Sequence, residues 1–267
     1  MRFREKLSKT TGIKEILLPN GYQMIGDIMI LNLSSSVNAK KIAKAASKLV
    51  PCKTIMMKTD IITGEFRAPQ LKKLWGKETI TTHHEHECLF ELDVTKVMWA
   101  KGNLNERKRI ASLPKAGERI LDMFAGLGYF TIPIGVHNPN VNITSIEKNP
   151  EAYKYLCQNI KLNKLTNVTP ILGDSMIEAP KHKADRIMMG YIPEPHEFLA
   201  SAFKALKDKG VIHYEGIRSA GKEESLFEPV NEEGIKQGYK CELLHTQLVK
   251  KYGPKNNHVV VDVLCYK

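Results

Sequence analysis

Asp122-Met123-Phe124-Ala125-Gly126-Leu127-Gly128-Tyr129-Phe130 follows a short apolar run and opens a helical stretch, Tyr129–Val136. Two glycines at a strand-to-helix turn let backbone amides approach a ligand closely and adopt conformations closed to other residues. Taken alone, such a pair is a common tight turn. About 20 residues further on, where a ribose-binding carboxylate belongs, the next apolar run ends in Glu147. A third run is followed by Asp174-Ser175, placed to meet an adenine edge. Taken singly, Glu147 reads as an exposed strand-end carboxylate and Asp174 as a helix N-cap. In order, the three features fall at successive strand ends, where open α/β sheets bind ligands, and they point to a nucleoside cofactor. The third glycine of the dinucleotide pattern G-x-G-x-x-G is replaced by Thr131. That argues against NAD and for S-adenosylmethionine, which has no pyrophosphate to cradle.

The elements that must position these groups alternate. Short apolar runs at Arg119–Phe124, Asn142–Glu147, Val168–Leu172, Arg186–Met189 and Gly210–Tyr214 are separated by helical stretches at Tyr129–Val136, Pro150–Leu162 and His196–Lys207. Strands alternating with helices imply right-handed crossovers and a parallel sheet covered on both faces. The rhythm then breaks: Tyr239–Lys250 and His258–Cys265 are strand-like with no helical pattern between them, so Val259–Leu264 is expected to enter antiparallel beside the last parallel strand. Before residue 90 the pattern is mixed. Gln23–Asn32 and Thr54–Lys58 read as strands, Ala39–Leu49 as an amphipathic helix, and Gly64–Arg67 and Trp75–Thr79 as turn-rich connections. The expected division is 1–90, a smaller N-terminal α/β domain, and 91–267, a cofactor-binding domain.

The chain has 267 residues, 42% hydrophobic and 26% charged, which suits a folded protein of one or two domains and excludes disorder as its main state. Its charge of +11 and pI near 9.3 favour a polyanionic partner, a nucleic acid first. Cys52, Cys88, Cys157, Cys241 and Cys265 are scattered without a C-x-x-C pair and read as reduced thiols of a cytoplasmic protein. The start shows no secretory signal, and no apolar run is long enough for a spanning helix.

Several stretches resemble a known family: ITGEFRAP (62–69), WGKET (75–79), LDVTKVMWAKGNLNERKR (92–109), DMFAGLGYFTIP (122–133), IEKNP (146–150), DRIMMGYIP (185–193), Gly210–Tyr214 and His258–Asp262. The C-terminal part resembles the Rossmann-like class I methyltransferase fold. More narrowly, the chain resembles the archaeal wybutosine-synthesis enzymes that transfer the 3-amino-3-carboxypropyl group of S-adenosylmethionine to the 4-demethylwyosine base beside the anticodon of tRNA(Phe). The sister family, the tRNA guanine-N1 methyltransferases, carries an Asn-Leu-Pro type motif where this chain has Met189-Gly190-Tyr191-Ile192-Pro193. Gly190 in the Asn position favours the aminocarboxypropyl reading, because losing that side chain could turn a different carbon of the sulfonium toward the base. The plain alternative is a Gly that permits a turn before Pro193. The methyltransferase, a non-catalytic RNA-binding relict and a small-molecule methyltransferase remain competing readings.

The resemblance implies a cofactor pocket lined by Ala100, Arg107, Phe124, Ala125, Gly126, Gly128, Glu147, Lys148, Asp174, Ser175, Gly190 and Tyr191, with no metal. Ala100 stands where the family often has Ser, so only a backbone contact carries over. Arg107 would pair with the cofactor carboxylate or a tRNA phosphate. Glu106 matches a candidate proton acceptor and is assigned the proton that the target carbon must lose. A monomer without a membrane partner is expected.

Other signals carry less. In one extended strand His84, His86 and Cys88 would share a face, but nothing elsewhere completes a metal site. Lys72-Lys73, Arg107-Lys108-Arg109 and Lys250-Lys251 are candidate phosphate contacts. Trp75 and Trp99 could stack on bases, and His213-Tyr214, late in the fifth strand, could reach the pocket or pack against the sheet, with packing the favoured reading.

Overall fold

A computed structural model describes residues 1–34, 38–59 and 69–267, and divides the chain into two compact units. The ITGEFRAP stretch and the connection Gly64–Arg67 lie outside the described residues, apart from Pro69.

The first unit comprises Met1–His84 and Leu89–Trp99. It holds α1 (Phe3–Thr11), β1 (Gln23–Ile25), β2 (Ile28–Asn32), α2 (Ala39–Leu49), β3 (Thr54–Lys58) and β4 (Leu71–Gly76). A four-stranded sheet runs β1-β2-β3-β4, parallel only between β2 and β3. Apolar side chains at 39, 42, 43 and 46 recur at helical spacing, so α2 buries Ile42, Ala43 and Ala46 against Leu7, Met29, Leu31 and Ile55. Two expectations need correction here. Gln23–Asn32 is not one strand but two, β1 and β2, folded back on each other at Gly26-Asp27. Trp75 and Gly76 lie inside β4, where they pair with Ile55 and Thr54.

β5 (Ile80–Glu85) and β6 (Cys88–Asp93) form a two-stranded sheet joined by His86-Glu87. Its turn, Glu85–Cys88, groups with the second unit.

That unit continues from Ala100 through α3 (Leu104–Ala111), β7 (Arg119–Asp122), α4 (Thr131–His137), β8 (Asn142–Glu147), α5 (Pro150–Leu162), β9 (Val168–Leu172), α6 (Ser175–Glu178), β10 (Ala184–Met189), α7 (Leu199–Ala205), β11 (Leu206–Ser219), α8 (Phe227–Lys236), β12 (Lys240–Lys251) and β13 (Asn256–Tyr266). The seven-stranded sheet runs β12-β13-β11-β10-β7-β8-β9. Its five strands from β11 to β9 are parallel, and β13 enters antiparallel between β11 and β12, as its sequence suggested. One face buries Ile187, Met189, Ile212, Tyr214, Val259 and Val261 with Leu199, Phe203 and Val230. Each such side chain contributes on the order of 1.5–3 kcal/mol on burial. The other face packs Ile120, Ile143 and Met188 against Ile110, Phe130 and Ile134. This second face also carries a line of buried polar groups. Parallel strands buried on both faces read as continuous apolar runs, which is why β7 to β10 were visible in sequence.

Candidate active site

The loop after β7 is held by its own first residue. Asp122 accepts from the Thr131 hydroxyl at 2.7 Å and from the Phe124 amide at 3.3 Å, and complete burial pushes its pKa up to about 6. Thr131, the departure from the third glycine, is therefore used internally, and its hydroxyl also meets Ser145 at 2.7 Å. Gly126 and Gly128 have φ of +59° and +103°, in the region that favours glycine. A Cβ on Gly126 would stand 2.8 Å from the Tyr129 ring.

Glu147 ends β8 facing this loop. Its carboxylate accepts the Gly126 amide at 2.6 Å and the Asn149 amide at 2.7 Å. Each carboxylate oxygen has a further lone pair, so two hydroxyl donors can still be received. Burial raises its pKa, with those backbone hydrogen bonds opposing. Asn149 caps α5 by accepting from Glu151, with Pro150 at the first helical position, so the helix starts at once after the strand and fixes Glu147. At the next strand end Asp174 caps α6 through the Met176 amide and meets Lys148 at 3.1 Å. The cap and then Lys148 hold its pKa low. Ser175 donates to the Met123 carbonyl. Beyond β10, Tyr191 stacks on Phe124 with centroids 5.2 Å apart, and Phe198 meets Phe124 edge-on at 4.8 Å.

α3 supplies the charged side. Arg107 is fully buried, donates to both oxygens of Glu85 at 2.6 and 2.7 Å and to the Ala100 carbonyl at 2.9 Å, and lies 5.8 Å from the Tyr129 ring centre. The Ala100 carbonyl is thus taken by Arg107. Glu106 is 2% exposed and receives two hydrogen bonds from Arg109, at 2.9 and 2.7 Å. Burial raises its pKa, with Arg109 opposing and Glu215 and Asp262 adding to the rise. Arg109 also reaches Asp262, Asp262 accepts from His213 Nδ1 at 2.6 Å, and His213 Nε2 meets Arg186, which pairs with Glu118. Burial keeps His213 below its ordinary pKa, so the ring is neutral and its two nitrogens link Asp262 to Arg186.

Gly190, just past the end of β10, is packed too closely for a side chain, which would have to displace its neighbours. A Cβ there would stand 2.7 Å from the Phe130 ring and 3.7 Å from Glu215 Oε1.

Some expectations are overturned. Arg107 and Arg109 are not phosphate contacts on a basic face, because Glu85, Glu106 and Asp262 take their guanidinium groups; only Lys108 of that run is exposed. His84, His86 and Cys88 do not share a strand face, because His86 and Glu87 turn the chain with φ of 48° and 63°. Trp99 is a core residue packed on Phe90 and His83. Glu85, Glu118, Arg186, Glu215, His258 and Asp262 went unassigned at the sequence level. A visible hint was there: His258 and Asp262 are two polar residues at the same parity in the otherwise apolar run 258–265, and so share one face.

The TRM5/TYW2 methyltransferase domain family matches residues 81–243, and the TYW2 N-terminal domain family matches residues 3–79. The tRNA(Phe) (4-demethylwyosine(37)-C(7)) aminocarboxypropyltransferase of Methanocaldococcus jannaschii is 47% identical over 242 residues, covering 90% of this chain and 96% of that one. The solved structure of M. jannaschii TYW2 in complex with AdoMet superposes with a TM-score of 0.77 at 40% identity, over 92% of this chain and all of that one. That of P. horikoshii TYW2 in complex with MeSAdo superposes with a TM-score of 0.87 at 30% identity, over 99% and 100%.

Proposed function

The chain belongs to the TRM5/TYW2 methyltransferase-domain family, and from that footing we propose that it transfers the 3-amino-3-carboxypropyl group of S-adenosylmethionine to C7 of 4-demethylwyosine at position 37 of tRNA(Phe). The observation that carries this reading is the 47% identity to an aminocarboxypropyltransferase along nearly the whole of both chains. The relatives bound to AdoMet and MeSAdo support it, since methylthioadenosine is what S-adenosylmethionine becomes when it gives up that arm and not when it gives up its methyl.

The residues present suit the cofactor. Gly126 and Gly128 open the loop, Glu147 has lone pairs for the ribose hydroxyls, and Phe124 and Tyr191 offer apolar ring faces. Asp174 and Lys148, paired at 3.1 Å past the ends of β9 and β8, would meet the adenine. When bound, the cofactor supplies a sulfonium-activated γ-carbon that the base carbon attacks, the C–S bond breaking with its electron pair leaving on methylthioadenosine. The base carbon that forms the new bond must then lose its proton, and Glu106 is the acceptor: burial raises its basicity, and Arg109 on both oxygens fixes its orientation without using every lone pair. Ala100 and Arg107 support the wall behind the loop through the Glu85 pair and Tyr129.

Residues 1–90 would contact tRNA and residues 91–267 would hold the cofactor. A cleft of about 410 Å³ in the first unit, lined by Lys40, Lys41 and Lys72 near the start of α2, suits phosphate groups. The reading includes a monomeric enzyme working where tRNA is matured, in the cytoplasm. No helix among the described residues is long and apolar enough to cross a membrane.

The test uses tRNA carrying 4-demethylwyosine and two preparations of S-adenosylmethionine, one labelled in the methyl group and one in the carboxyl carbon. Label entering tRNA from the carboxyl position alone is the expected result. Label from the methyl position alone would make the chain a methyltransferase.

A further inference from the structure

Cys241 and Cys265 stand directly opposite each other on β12 and β13. Their sulfurs lie 3.1 Å apart and share a hydrogen bond, and both are free thiols. The pair sits at the open end of a hairpin. β12 begins at Lys240 and β13 ends at Tyr266, while the turn between the strands lies at the far end, where the Tyr252 amide donates to the Asn256 carbonyl. β12 is also the outermost strand of the seven-stranded sheet, held there by β13 alone. Its open end is therefore where the sheet frays most readily.

The two sulfurs differ in their surroundings. Cys265 is wholly buried in the core that includes Phe203, Leu206 and Val230. Cys241 is half-buried and packs against that core. Gly234 of α8 makes room for it, since a Cβ at that position would overlap the Cys241 sulfur. The hydrogen bond with Cys265 lowers the pKa of Cys241, with burial opposing. The same hydrogen bond, and then burial, push Cys265 above the thiol range. Cys241 is thus the sulfur that loses its proton first and meets a reagent first, and Cys265 waits behind it. Directly paired residues of antiparallel strands have Cα atoms about 4.5 or 5.5 Å apart. Both values fall inside the range of about 4.4–6.8 Å that a disulfide spans, so the strands need not move for the sulfurs to bond.

We propose that Cys241 and Cys265 are an oxidation site, a clasp that a peroxide closes across the open end of the β12–β13 hairpin. The Cys241 thiolate attacks one peroxide oxygen and the O–O bond breaks. Cys241 becomes a sulfenic acid, and the other oxygen leaves as hydroxide, which takes up the proton Cys241 gave up and becomes water. The Cys265 sulfur then attacks the Cys241 sulfur. The S–S bond forms, the S–O bond breaks, and the hydroxyl leaves with the Cys265 proton as a second water. Two thiols have given up two electrons and two protons, and the peroxide has taken them up. A dithiol reverses the step by exchange. Once closed, the clasp ties β12 to β13 at both ends, by the turn at one and by the new bond at the other.

The test treats the reduced full chain with hydrogen peroxide, alkylates the remaining thiols under denaturing conditions and maps the peptides by mass spectrometry. The expected product is a pair of peptides joined through Cys241 and Cys265 and lighter by two hydrogens, formed before Cys52, Cys88 or Cys157 loses its thiol. The bond closes a loop across 24 positions, so the midpoint of thermal unfolding should rise by on the order of 5–10 °C, and dithiothreitol should return it. In Cys265→Ser, Cys241 should stop at the sulfenic acid, which dimedone traps. In Cys241→Ser, Cys265 should stay unoxidised. Both thiols still alkylated at a peroxide dose that fully oxidises free cysteine would overturn the proposal. So would a link from either residue to another cysteine, a Cys241 carried on to the sulfinic acid unlinked, or a linked chain whose midpoint does not rise. The wild-type chain decides each of these even where a serine variant fails to fold.

Discussion

Arg109 and Asp262 lie 153 positions apart in the chain, yet their side chains pair at 2.6 and 3.0 Å. The pair closes a buried line that starts at the Glu106 carboxylate and runs through Arg109, Asp262, His213 and Arg186 to Glu118. A helix before the sheet and the strand that completes it are thus joined by one guanidinium group.

Removing Asp262 leaves Arg109 half-satisfied in a buried site and His213 without its acceptor. Asp262→Ala is expected to lose about 3–5 kcal/mol of stability, measured by urea unfolding. Burial alone would raise the Asp262 pKa, but hydrogen bonds from His213 and Arg109 outweigh it and hold the group far below the carboxylate range. The stabilisation is therefore full above the unfolded-chain value of about 3.9 and fades only as pH falls through the lowered folded value. In Asp262→Ala that acid-side loss should be missing.

Asp122 has the opposite sign. Its folded pKa of about 6 lies above the unfolded value, so the folded state holds the proton more tightly and stability declines as pH rises through that interval. The shift corresponds to about 3 kcal/mol. Subtracting an unfolding series for Asp122→Asn from that of wild type between pH 4 and 7 should reveal this decline. A flat difference would show that Asp122 stays ionised.

Glu106→Gln keeps the volume and removes the proton acceptor. Single-turnover transfer is expected to slow by about 10²- to 10⁴-fold while cofactor affinity stays within a factor of a few. An unchanged rate would move the base elsewhere.

At Gly190 the obstacle is the Phe130 ring, 2.7 Å from where a Cβ would stand. Gly190→Ala should cost about 1–3 kcal/mol through overpacking. Phe130→Leu introduced into that variant should recover part of it, which a double-mutant cycle in thermal unfolding would measure. Additive costs would mean that the ring moves aside freely.

Lys40, Lys41 and Lys72 are exposed around one cleft of the first unit. If they hold phosphates, replacing each by Ala should lower the slope of log affinity for tRNA against log salt by about 0.7–0.9. A slope that does not change would place the phosphate contacts on other lysines.

The backbone of this site could be read from local pattern. The β7 to β9 runs, the glycine loop, Glu147 and the α5 boundaries Pro150–Leu162 each depend on residues within a few positions of one another, and the structure places them where the pattern did. Charge partners could not be read that way. Arg107 belongs to a run of three basic residues, and nothing near it shows that Glu85, 22 positions earlier, will bury it. The same holds for Arg109 and Asp262. Short-range exceptions occurred where two residues reversed the chain, at His86-Glu87 and at Gly26-Asp27, because a brief turn inside an apolar or polar run leaves little compositional trace.

The order of strands sets a sequence of assembly events. β13 follows β12 in the chain but lies inside it in the sheet, pairing with β11 along Lys209–Ser219 and with β12 on its other side. Until residues 256–266 have been synthesised, β11 presents a long edge of unpaired amides and carbonyls, the kind that neighbouring chains add to. Asp262 and His258 arrive on that same strand. A growing chain therefore closes its exposed edge and completes its buried charge line in one event, so ribosome-bound intermediates lacking β13 would be both inactive and prone to aggregate.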